Sequence, residues 1–195
     1  MFVFAALLCD LVLWLFVLLG WESVTILANF ATTHQPEFVF RYSHGLLAAI
    51  GWSTLAGVAT FLWYPQLRAA KLRASAFVAM AVFSHWLLDA LVHVPELPLA
   101  GESSLKVGRG LWRSMPVALL VEALIAVVGL CLFLPGANLS RGKKRWLTAL
   151  SLFIMAFTVV GMTVAPPPPS VMAASSLVTI VVVCALAGWL GKRAT

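Results

Sequence analysis

The sequence predicts an all-α polytopic membrane protein, a single domain of six transmembrane helices with both termini cytoplasmic. Three observations carry this. Of its 195 residues 62% are hydrophobic and 10% charged, where soluble domains run at about 45–50% and about 25%, and the mean hydropathy is +1.01. The apolar runs reach the length of about 20 residues that a helix needs to cross the hydrocarbon core. Lys and Arg are shared unequally between alternate connections, as orientation in a membrane requires. This excludes a water-soluble globular protein, a disordered chain and a disulfide scaffold. Cys9, Cys131 and Cys184 sit inside apolar runs without CxxC spacing, so neither a disulfide nor a thiolate metal site is expected. Cys9 also lacks the small preceding residue and upstream basic charge of a cleaved leader. The net charge of +6 is that of basic membrane-flanking loops, and no nucleic-acid partner is expected.

The spans are expected at 2–19, 44–64, 74–94, 115–134, 146–164 and 171–190, bounded by Gly, Pro and charge. Pro65 and the basic Arg68, Lys71 and Arg73 follow the second span. Pro95 and Pro98 end the third, and Pro135-Gly136 the fourth. Four consecutive prolines, Pro166 to Pro169, cannot occupy a lipid-exposed helix interior and make a stiff turn before the last span. Residues 24–31 are too few to cross and are expected at the interface. With the N-terminus inside, the cytoplasmic segments carry Arg68, Lys71, Arg73, Arg141, Lys143, Lys144, Arg145, Lys192 and Arg193, against Arg41, Lys106, Arg109 and Arg113 outside.

Ionisable groups at membrane depth cost about 2.5–3.5 kcal/mol each on insertion scales, so those present call for a reason. Asp10 falls in span 1, His44 opens span 2, His85, Asp89 and His93 lie in span 3, and Glu122 in span 4. Spans 5 and 6 have no acid or histidine and are expected to act as packing. The HxxxDxxxH spacing of His85, Asp89 and His93 puts three potential ligands on one helical stripe. Imidazole and carboxylate are the usual set for zinc and similar ions. At about 1.5 Å rise per residue, His85 and His93 stand about 12 Å apart, too far to grip one ion. Two ions with Asp89 between them is the favoured arrangement. The simpler one is a single ion on His85 and Asp89, with His93 carrying protons. A buried polar network or proton relay without metal is the alternative. By helix direction all six groups fall in the outer half of the membrane.

Outside the spans, Glu22 is a candidate base or ligand at the mouth of the cluster, and Ser43 a candidate to orient His44. His34 and Glu37 are weaker candidates in the outer loop, and Glu96 reads as a solvated rim charge. Lys106, Arg109 and Arg113 make a basic outer strip beside Trp112, suited to an anionic head group or to interface anchoring.

Tyr42-Ser43-His44-Gly45, the segment from Ser84-His85 through Asp89 and His93 to Pro95-Glu96-Leu97-Pro98, and Lys106-Val107-Gly108-Arg109-Gly110-Leu111-Trp112 leading to Glu122 resemble bacterial inner-membrane proteins classed as predicted membrane-bound metal-dependent hydrolases. The resemblance covers nearly the whole chain. It maps that family's Ser-His pair and Ser-His-xxx-Asp segment onto His44, His85 and Asp89. An early Pro-Asp-x-Asp type motif stands here only as Cys9-Asp10. The HxxxD core is also similar to that of zinc-dependent phospholipases C over a few residues.

The expected function is therefore a metallohydrolase of the bacterial cytoplasmic membrane, acting from the outer leaflet on a lipid or other amphiphilic ester. His44, His85, Asp89 and His93 would hold one or two divalent ions, zinc being the expected metal. Glu122 or Glu22 would serve as base or ligand, Asp10 as a deeper partner, and Lys106, Arg109 and Arg113 as substrate contacts. The alternatives are a metal-ion or proton transporter using the same groups, and a non-catalytic protein whose polar residues lock helices together.

Overall fold

The computed structural model describes residues 2–63 and 68–192. Tyr64, where the second span is expected to end, the break at Pro65 and the basic residue Arg193 lie outside the described residues. In chain order the elements are α1 (Phe2–Ala6), α2 (Leu8–Leu18), β1 (Ser23–Thr25), α3 (Phe30–Thr33), β2 (Glu37–Val39), α4 (Leu46–Trp63), α5 (Arg68–Val92), β3 (Leu97–Pro98), β4 (Lys106–Val107), a 3-10 turn (Leu111–Ser114), α6 (Met115–Gly136), α7 (Arg141–Thr163) and α8 (Pro169–Leu190). Helices α4 to α8 are five segments long and apolar enough to cross a membrane.

The first expected span is shorter and interrupted. Its two pieces, α1 and α2, meet at Leu7, which has φ −101° and ψ 8°. Backbone bonds from Leu7 N to Val3 O (3.1 Å) and from Leu11 N to Leu7 O (3.0 Å) carry the rod through the hitch. Two other boundaries move outward. Helix α5 begins at Arg68 and α7 at Arg141, because Lys and Arg are good helix formers that hydropathy alone discounts. Ser140 caps α7, its Oγ accepting from Lys143 N at 3.3 Å, as an N-cap serine should. The proline run lies where expected, between α7 and α8, with Pro169 opening α8.

The tightest pairing is the α4–α5 hairpin. Ala49, Ser53 and Gly57 recur every fourth residue and are the buried positions of α4. Small residues at this spacing let two backbones approach closely where no water drives association. A Cβ on Gly57 would stand 3.2 Å from Ala79 Cβ, and Ser75 Oγ donates to Gly57 O at 2.6 Å. Against this pair Ala5, Cys9, Val78 and Val82 form a buried apolar cluster with Leu8, Trp52 and Ala56.

The chain is not purely helical. The loops at the end of the bundle where α2 and α5 finish and α4 and α6 start form two small antiparallel ladders. In one, Ser23, Val24 and Thr25 face Val39, Phe38 and Glu37; in the other, Leu97 and Pro98 face Val107 and Lys106. Residues 24–31 thus build part of a cap. Leu13, Val24, Phe38, Phe40 and Leu97 make its core. Leu47 N at the start of α4 donates to Leu99 O at 3.0 Å, satisfying one of the orphan donors of that helix.

Candidate metal centre

Each ligating side chain is placed by a local device. Glu22 is 4% exposed, and its Oε1 accepts three successive backbone N–H groups: Arg41 (2.7 Å), Tyr42 (2.7 Å) and Ser43 (3.0 Å). Trp52 Nε1 donates to Tyr42 O at 2.8 Å. These bonds fix the turn that presents His44 just before α4. On α5, His85 and Asp89 are one turn apart on the same face. The far end of α5 is closed by the 108–110 loop, where Arg109 N donates to Ala90 O (2.9 Å) and Gly110 N to His93 O (2.7 Å). Gly108 has φ +154°, and a Cβ there would fall 2.3 Å from Val94 O, so only glycine admits the close approach.

Four side chains from α2, the turn before α4, and α5 converge. Asp10 Oδ1 lies 3.5 Å from both His44 Nε2 and His85 Nε2. Asp89 Oδ2 lies 3.5 Å from His44 Nε2 and 3.3 Å from His85 Nε2, and the two imidazole nitrogens are 3.3 Å apart. Asp10, His44 and His85 offer ligand atoms all within 4.8 Å of one another, a group that could hold a metal ion.

The chemistry of these atoms favours a cation among them. His85 Nδ1 donates to the carbonyl of Ala6 at 2.8 Å, so in the neutral ring Nε2 carries the lone pair. That carbonyl belongs to the turn interrupted at Leu7. His44 Nδ1 is 2.8 Å from Ser43 Oγ, leaving its Nε2 also turned inward. Nitrogens whose opposite ring atom is held by a carbonyl or hydroxyl are the usual dress of metal-bound histidine. The Nε2 atoms of both histidines and two carboxylates therefore face a common point in a side-chain environment only 3–31% exposed. Asp89 Oδ2 is buried with no hydrogen-bond partner. Charge-assisted N–H···O bonds would draw in to about 2.7–2.9 Å; the observed 3.3–3.5 Å is longer. Bonds of about 2.0–2.1 Å at tetrahedral angles set ligands about 3.3–3.4 Å apart.

The four residues form one wall of a cavity of about 730 Å³. His93, Trp112 and Glu122 lie on it as well, and Val121, Ile125, Phe157, Met162 and Met172 give it an apolar side. The last two helices are thus more than packing, because they build the apolar half of this space. His44, Asp89 and Glu122 share one cavity, as the convergence of the polar groups requires.

The expected site residues separate into three sets. Asp10, His44, His85 and Asp89 meet; Asp10 is a direct neighbour of the histidines, not a deeper partner. His93 lines the cavity but stands apart from the group that can share an ion. Its Nδ1 is 2.6 Å from Glu96 Oε1, so the arrangement with one centre fits better than that with two. Glu122 Oε1 accepts from Trp112 Nε1 at 3.4 Å. Glu22 is not on the cavity wall and acts on the backbone of 41–43. Lys106, Arg109 and Arg113 are exposed and off the cavity, although Trp112 within the strip reaches it. Glu96, read from sequence as a rim charge, is 9% exposed and also accepts from Phe38 N at 3.4 Å. The signal for it was the three-residue spacing from His93 across Pro95. The chain matches no family model, no curated protein and no solved structure.

Proposed function

We propose that the protein is an integral membrane metallohydrolase of the bacterial cytoplasmic membrane. Six crossings put both termini inside, and the centre faces the extracytoplasmic side. Asp10, His44, His85 and Asp89 hold one divalent ion, zinc by donor chemistry. The observation that carries this reading is the set of five N···N and N···O separations of 3.3–3.5 Å around inward-facing Nε2 atoms. A divalent cation offsets two carboxylates that a low-dielectric site would otherwise resist holding. An ion held there would supply Lewis acidity and a bound water of lowered pKa, toward about 7, as hydrolysis needs.

The chain supplies the rest. Ser43 and the Ala6 carbonyl hold the two imidazoles in orientation. The cavity joins a polar end to apolar walls from α6, α7 and α8, which suits a lipid or other amphiphilic ester entering from the bilayer. The exposed Lys106, Arg109 and Arg113 favour an anionic, phosphoester head group arriving at the rim. A transit role for the same residues needs a polar path onward to the cytoplasmic side. Beside the centre, Ala5, Cys9, Val78 and Val82 instead form a buried apolar cluster, which favours hydrolysis over transport.

Elemental analysis of detergent-purified protein, followed by a panel of phospholipid and ester substrates, tests the reading. About one ion per chain and metal-dependent cleavage are expected. Protein that is free of metal after purification in zinc-supplemented buffer would sink it.

A further inference from the structure

On one side of the cavity stands a second polar group that metal binding does not use. His93 is 5% exposed, walled by Phe38 and Phe40 at 6.0 and 5.6 Å and by Trp112 at 4.0 Å between ring centroids. Its Nδ1 is held by Glu96 Oε1 at 2.6 Å, and Glu96 is in turn pinned by Phe38 N. A carboxylate only accepts, so Nδ1 donates in every protonation state. His93 Nε2 has no hydrogen-bond partner among the described residues and is not sealed off; the residue lines the cavity. A buried ring on the cavity wall, with one nitrogen tied to a carboxylate and the other without a partner among the described residues, suits an acid–base residue.

We infer that His93 is the general acid of the hydrolysis proposed above, on which this inference rests, and that Glu96 positions it. The oxygen of water forms the new bond to phosphorus. The bond from phosphorus to the alcohol oxygen breaks, its electron pair stays on that oxygen, and the oxygen takes the proton from His93 Nε2. The attacking water sheds a proton to solvent and Nε2 regains one from solvent, so nothing else is consumed. Glu96 stabilises the imidazolium through the short, charge-assisted bond.

The test uses two phosphodiesters carrying the same dodecyl chain, one with dodecanol and one with p-nitrophenol as leaving group. An alkoxide needs the proton; p-nitrophenolate leaves without it. His93→Gln and His93→Asn should keep the metal content of the wild type and lose about 10²–10⁴-fold on the dodecanol ester, with a far smaller loss on the p-nitrophenyl ester. Glu96→Gln should show the same split more weakly. Loss of metal from both His93 variants would make His93 a ligand and overturn the inference. Equal losses on the two esters would make it structural and overturn it as well, in either case leaving the hydrolase reading standing. A wild type that holds metal yet cleaves neither ester overturns the inference, and one that cleaves nothing in the wider ester panel overturns the hydrolase reading as well.

Discussion

His44 Nε2 and His85 Nε2 face each other across 3.3 Å, although 41 positions separate them in the chain. Each has its outer nitrogen occupied, His44 by Ser43 and His85 by the Ala6 carbonyl. Two basic nitrogens held this way, with two carboxylates beside them, repel one another unless a cation or protons lie between. Replacing His85 with alanine should therefore abolish retained metal, and Asp89→Asn should lower it. Ser43→Ala leaves the ligands intact but frees the ring of His44, and a loss of about 10–100-fold in metal affinity is expected. Chelator competition measures all three. Wild-type retention in His85→Ala would show that the ion, if any, sits elsewhere.

Glu22 makes a different prediction because it touches no ligand. Its carboxylate gathers the N–H groups of Arg41, Tyr42 and Ser43, and hydrogen bonds to a charged group contribute about 1.5–3 kcal/mol each. Glu22→Ala leaves three donors of a part-buried turn without their acceptor, so the protein should melt several degrees lower in detergent and bind metal more weakly. Glu22→Gln keeps one acceptor and should recover most of the melting temperature. If Glu22 instead served as the catalytic base, the glutamine variant would be inactive while melting normally, and a thermal-shift measurement beside an activity assay separates the two cases.

The helical register of α5 made the His85–Asp89 pair readable from sequence, since residues four apart share a face whatever the tertiary structure. The apolar runs placed five of the spans; basic residues extend α5 and α7 at their starts, α6 runs on through Pro135 to Gly136, and α5 stops at Val92, one residue short of His93. What pattern could not supply was distance between helices. Asp10 read as a deeper partner of the cluster, and the path of α2 along α5 brings its Oδ1 to 3.5 Å from both histidines. His93 looked like a third ligand because it shares their stripe, but Pro95 turns the chain so that Glu96 folds back onto its Nδ1. Glu22 read as a base or ligand and Glu96 as a rim charge, because a carboxylate that anchors loop backbone carries no periodic signal.

Gly108 is a test of the cap on α5. At φ +154° a Cβ would fall 2.3 Å from Val94 O and 2.5 Å from His93 O, both backbone atoms that cannot swing aside. Strain of this kind costs about 1–3 kcal/mol and overpacking about as much again. Gly108→Ala should therefore destabilise the protein and displace His93, lowering activity more than metal content. Gly129→Ala, where an added Cβ meets nothing within 4 Å, is the control and should be neutral or slightly stabilising by helix propensity. Equal melting temperatures for the two variants would mean that the 108–110 loop does not press on α5.

Gly161 offers the most direct probe of what the cavity holds. It lies on α7 beside Phe157, Thr158 and Met162, all on the cavity wall, and an added Cβ there meets open space within 4 Å. Gly161→Phe should thus fill the apolar end without disturbing the backbone or the ligands, and metal content should stay at the wild-type level. Each methylene of a bound chain driven out forfeits about 0.8 kcal/mol, so excluding four would weaken a long-chain ester by about 10²-fold. A soluble ester with a two-carbon chain, which never reaches α7, should be cleaved as by the wild type. The loss should fall on KM, because chain burial is shared by ground and transition states. Were both esters to lose activity alike, the space between α6, α7 and α8 would not be where the chain of the substrate lies.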